Sequence, residues 1–132
     1  MYRKYMTEDQ NRKMKQLMMQ NAHTGIRIEQ IYPEVKEIVI SHVRNHSSAF
    51  GSNHKEGIWT LSPQSEAYFF IECLNPECST IGFDLGDIIR RAISNRCSEV
   101  KGEMECEGQE APDHPEQSCD GHLNYVVRIY FK

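Results

Sequence analysis

Residues 122–131, "HLNYVVRIYF", alternate with a period of two, and no other stretch so constrains what this chain can fold into. Leu123, Tyr125, Val127, Ile129 and Phe131 point one way, Asn124, Val126, Arg128 and Tyr130 the other. A half-buried strand of this kind requires a neighbouring strand and a layer that covers its apolar side. "VKEIVISHVRNHS", from Val35, is rich in β-branched residues and is the strongest second strand. "IRIEQIYP", ended by Pro33, "GIWTLSP" and "AYFFIEC" read as shorter strands, with "SPQSE" as a turn. "SSAFGSNHKEG" reads as a polar loop.

Two segments carry a helical period instead. Thr7, with Gln10 three residues on, has a capping-box pattern, and Met14, Leu17 and Met18 form one apolar stripe beside wet Arg12, Lys13 and Lys15. From Asp84 to Asn95, Leu85, Ile88, Ile89, Ala92 and Ile93 mark one face, with Asp84 as cap and Asp87 paired to Arg91. Residues 97–121 read as a long acidic loop, broken by Pro112, Pro115 and several glycines, which needs something to tie it down. This order predicts an α+β fold: a mostly antiparallel sheet of about four strands with two helices. At 132 residues a single domain over 1–132 is expected, with 1–23 as a peripheral N-terminal helix and 24–132 as the core.

The cysteines are Cys73, Cys78, Cys97, Cys106 and Cys119. Met1–Gln20 is charged and Met-rich, without the apolar stretch of a secretion signal, and no apolar run reaches the roughly 18–20 residues of a membrane span. A cytoplasmic location is therefore expected, where an odd number of thiols argues against a disulfide framework. Thiolates favour zinc in a closed tetrahedral site, and Cys73 and Cys78 flank a turn containing Pro76. Cys106 and Cys119 bracket the acidic loop and would supply the other pair, bringing the staple together if the last strand lies beside "AYFFIEC". The expected cofactor is thus one structural zinc held by Cys73, Cys78, Cys106 and Cys119. His122 or His114 are the substitutes for one cysteine, and Cys97 is left as a spare thiol.

A second constellation is "ISHVRNHSSAFGSNH". On a strand, His42, Arg44 and His46 share a face, where a guanidinium between imidazoles suits a phosphate or carboxylate. With His54 from the next loop, His42 and His46 could instead hold a catalytic metal. Trp59, Tyr68, Phe69 and Phe70 resemble a base-stacking platform, but no Lys or Arg is interleaved with them, which favours core packing. No phosphate-binding Gly-Lys loop, Gly-x-Gly-x-x-Gly, His-Glu-x-x-His or Gly-x-Ser-x-Gly occurs. The helix–strands–helix order superficially resembles a double-stranded RNA-binding domain. The second helix, "GFDLGDIIRRAIS", begins acidic where that family is basic, so no function is carried over.

Net charge is −4 but uneven: residues 1–55 carry nine Lys/Arg against five Asp/Glu, and residues 97–132 carry three against eight. The sequence therefore leans away from catalysis. It points to a small intracellular zinc-binding module whose basic N-terminal surface, with His42, Arg44 and His46, contacts nucleic acid or an acidic protein partner. The alternative is a metal-dependent hydrolase using His42, His46 and His54.

Overall fold

The pairing of the two strongest strands organises the molecule. The computed structural model describes residues 13, 16, 17, 20–48, 51–74, 82–106, 109–111, 114–118 and 121–132. In chain order these form α1 (Ile28–Ile31), β1 (Val35–Ser48), β2 (Gly51–Leu61), β3 (Phe70–Ile71), β4 (Phe83–Asp84), α2 (Gly86–Ser94), β5 (Glu99–Glu105), β6 (Gln109–Ala111), β7 (His114–Ser118) and β8 (His122–Phe131). A four-stranded sheet runs β2-β1-β8-β5 with every pair antiparallel, and β3–β4 and β6–β7 make two small sheets. The α+β architecture therefore holds.

Register fixes the faces. Ile38 stands opposite both Ile129 and Leu61, and Ile40 opposite Val127 and Trp59. These side chains share one face with Leu123 and Tyr125, and Phe69, Ile71, Phe83, Leu85 and the buried face of α2 cover it as the core. The stripe read for α2 is the one that packs: Ile89, Ala92 and Ile93 are buried. Asp84 Oδ1 accepts the Gly86 N–H at 2.8 Å, while Asp87 meets Arg90 at 2.5 Å and Arg91 at 2.8 Å. At the other end Cys97 N–H bonds Ala92 O, and Arg96 N–H bonds Ile93 O. That closes a Schellman motif around Arg96 at φ 52°, whose guanidinium sits 4.5 Å from the Phe131 ring centre. Among the described residues nothing covers the opposite sheet face, and Ile58 stands on it 74% exposed.

Four sequence expectations change. "IRIEQIYP" is not a strand: only Arg27 makes a bridge, to Glu66, before the chain turns into α1, whose first N–H groups bond Ser65 O and Pro63 O. The polar "SSAFGSNHKEG" holds the last two residues of β1 and the first half of β2. "AYFFIEC" contributes only two strand residues, and β8 lies between β1 and β5 rather than beside it. Residues 97–121 are no structureless loop. β5 pairs with β8 from Glu99↔Arg128 to Glu105↔His122, and β6 pairs with β7 through Gln109↔Ser118 and Ala111↔His114, with a register shift between those two pairs. In the N-terminal segment residues 13, 16, 17 and 20–22 are helical, and Leu17 is 53% exposed. Thr7, Gln10, Arg12, Met14, Lys15 and Met18 lie outside the described residues.

Gly82 leads into β4 at φ 130°, and a Cβ there would clash with the facing backbone of Ile71 and Glu72. Both the backbone conformation and the close approach demand glycine. Gly82→Ala should lower unfolding free energy by about 3 kcal/mol or more, measured by urea denaturation. A loss below about 1 kcal/mol would show that this turn relaxes freely.

Candidate binding groove

The β1–β2 ladder sets Ile40 opposite Trp59, His42 opposite Gly57 and Arg44 opposite Lys55. All six positions lie on the face that carries the core, at the end where apolar residues give way to charged ones. The chain after β2 crosses this face. Tyr68 meets Trp59 edge-on at 6.4 Å between ring centres, and Arg44 Nη1 donates to Glu72 O at 2.8 Å. Residues 68–72 therefore run alongside β1 from the Ile40–Trp59 row to the Arg44–Lys55 row. Phe69, Ile71 and Cys73 are buried, whereas Tyr68 and Phe70 are half-buried and Glu72 is exposed. This alternation turns the second set outward. Tyr68 and Phe70 lie 5.5 Å apart, and His23 stacks on Tyr68 at 3.8 Å with an interplanar angle of 11°. A strip of rings, His23, Tyr68, Phe70 and Trp59, thus borders His42, Arg44 and Lys55.

Electrostatics distinguish the members. His23 Nδ1 lies 2.6 Å from Glu66 Oε1, and Glu66 Oε2 accepts the Gly25 N–H at 3.0 Å. The Gly25 bond first, then that to His23, hold the Glu66 carboxyl below its ordinary value. The Tyr68 hydroxyl is pushed up, mainly by burial and further by Glu66 and Glu72. His42 lies flat over Gly57, where an added Cβ would come 2.7 Å from its Cε1. Burial lowers its pKa, and Arg44 and then Lys55 lower it further. Its Nδ1 and the Nε of Arg44 are buried without a hydrogen-bond partner among the described residues.

The sequence-derived sites separate on this frame. His42, Arg44 and His46 do share a face, but it is the inner one. His46 is buried and Arg44 braces the 68–72 segment. His54 is on the outer face, bonded to Asn45 Oδ1 at 2.8 Å and Glu56 Oε1 at 3.3 Å. The sheet therefore divides the three histidines of the hydrolase alternative. Cys73 and Cys106 are both buried in the core cluster, and Cys106 N–H bonds Gly121 O at 2.9 Å where the β6–β7 hairpin begins. Cys78 and Cys119 lie outside the described residues. Among the described residues no three His, Cys, Asp or Glu side chains gather to hold a metal. Cys97 is exposed, its Sγ donating to Glu99 O at 3.1 Å, and His122 is half-buried at the start of β8.

Of the rings that the sequence assigns to core packing, Phe69 is buried in the core and Trp59 packs against it, while Tyr68 and Phe70 turn outward. The signal for that division was the parity of Tyr68, Phe70 and Glu72 against Phe69, Ile71 and Cys73. The Lys and Arg absent from that segment arrive across strands, from Arg44 and Lys55. Elsewhere, the outer face has a concavity of about 530 Å³, lined by Ser41, Val43, Ile58 and Val126 among others, with Glu56 as its charged group. No helix among the described residues is long and apolar enough to cross a membrane. The chain matches no protein-family model, no curated protein and no solved structure.

The depressed His42 value sets a sign. The unfolded chain takes up this proton more readily, so His42 contributes stability above its ordinary pKa of 6.5 that is lost as pH falls through that value towards the folded one. NMR titration should place His42 below 6.5, and Lys55→Met should raise it towards that value. A His42 titrating above 6.5 would refute its burial among cations.

Proposed function

We propose that this chain is a small zinc-stapled module that acts by binding an anionic partner in the groove beside β2. One observation carries the reading: separate strands bring Arg44 and Lys55 to act on His42, and the charges shifting His42 are these two cations. Each would be stabilised by an anion. Lys55 is exposed and supplies the point charge, and Arg44 and His42 keep buried nitrogens without partners among the described residues. An imidazole held neutral at neutral pH can accept or donate a hydrogen bond without adding charge.

The zinc would be held by Cys73, Cys78, Cys106 and Cys119 in a closed structural site, which adds folding free energy and no chemistry of its own. Supporting it are the burial of Cys73 and Cys106 in one core cluster and the exposure of Cys97, the thiol left over. Such a site needs a reducing environment, in which thiolates are kept available.

Two measurements test these statements separately. Native mass spectrometry with elemental analysis should find one zinc per chain, lost in Cys73→Ser and kept in Cys97→Ser. Metal-free protein, or zinc unaffected by Cys73→Ser, would refute the staple. Heparin serves as the polyanion probe: binding should fall steeply with salt, and Lys55→Glu should reduce the salt slope by about 1. Binding that ignores both salt and Lys55→Glu would refute the groove.

A further inference from the structure

We infer that the anion taken by this groove is single-stranded nucleic acid, its bases stacking on His23, Tyr68 and Phe70 while its phosphates meet Lys55 and Arg44. The inference rests on the binding reading above and adds the class of ligand. Phosphate or carboxylate recognition alone uses cations and N–H groups and has no need of ring faces. Here a run of half-exposed rings borders the cations, which is the combination that single-strand binders use because every base has a π-face.

The stack already present shows that the strip accepts a planar ring. His23 lies on Tyr68 at 3.8 Å and 11°, and its side chain is 45% exposed, so a further planar group can extend the stack. Phe70 is half-buried beside Tyr68, and Trp59 backs Tyr68 edge-on. Tyr68 and Phe70 face outward from the 68–72 segment, with Trp59 of β2 edge-on behind Tyr68 and His23 stacked on it. They can receive bases that are splayed out, not bases paired and stacked within a duplex.

The overall charge of −4 does not oppose this placement. The carboxylates of Glu99, Glu103 and Glu105 lie on β5, at the far edge of the β2-β1-β8-β5 sheet. Three strand spacings amount to roughly 14 Å, beyond the screening length of about 8 Å at physiological salt. Nearer the strip, Glu66 is bonded to His23 and Gly25. Glu72 is the exposed carboxylate that a phosphate would meet, so it should weaken binding.

Fluorescence anisotropy on the full chain tests this with an oligothymidine and an abasic strand of equal length. The oligothymidine should bind about tenfold tighter. Tyr68→Leu, which keeps an apolar body under His23, should abolish that preference. Glu72→Gln should tighten both severalfold. Phe70→Leu, which should reduce the preference, replaces Tyr68→Leu if the latter does not fold by circular dichroism. Equal affinity for the two strands would overturn the stacking inference while leaving the anion groove standing. Tighter binding of duplex, or of poly-glutamate, would assign the groove to another partner and also overturn it. Loss of binding to both strands and to heparin would remove inference and groove together.

Discussion

Everything that faces inward in this protein does so because Ile38 stands opposite Ile129. The β1–β8 ladder joins an early strand to the last one, and its parity is set by burying Ile38, Ile40, Val127 and Ile129 together. A slip of one residue would expose those side chains and bury Val39, Ser41 and Arg128 instead, a change no repacking could offset. The same parity then dictates the rest of β1. Once Ile38 and Ile40 are committed to the core, His42, Arg44 and His46 must follow on that face. These polar side chains are placed inward by the apolar residues that precede them.

That coupling explains what was legible in the sequence and what was not. β8, β1 and α2 each carry a hydrophobic period strong enough to declare type and face, and Asp87 pairs with Arg91 as its spacing requires, whereas the N-cap position falls to Leu85 and Asp84 stands one residue before it. The misread elements are those whose backbone bonds come from elsewhere. Residues 26–31 turn where they do because Pro63 and Ser65 offer carbonyls, and local pattern does not encode that. β5 and the first half of β2 lack the apolar signature because they are edge or ribbon strands, held by the ladder with little burial. Their charges read as loop for the same reason that they protect a sheet edge.

The proposed groove was half legible. His42, Arg44 and His46 could be put on one face from spacing, but whether that face is wet depends on which residues of β8 and of the 68–72 segment oppose it. Trp59 and Tyr68 read as core because no cation neighbours them in sequence, yet Lys55 stands two pairs away from Trp59 along β2, and Arg44 stands across from Lys55. A groove assembled from four separated segments has no contiguous motif. Its chemistry appears only when parity and crossing direction are known together.

The role of a zinc ion also changes once the hairpin is seen. The β5–β8 ladder and the β6–β7 pair give the excursion after residue 97 backbone pairing of its own. Among the described residues the wall of the groove is held by few backbone bonds. β3 and β4 share only two residue pairs, supplemented by the Leu85 N–H to Phe69 O bond and by Arg44 on Glu72 O. A zinc joining Cys73 and Cys78 to Cys106 and Cys119 would fasten that wall to the hairpin neck, where Cys106 meets Gly121. The staple would then serve the binding strip directly. Ring faces offered to a ligand at fixed spacing bind better the less they must be ordered on contact, and a rigid 68–73 segment supplies that order in advance.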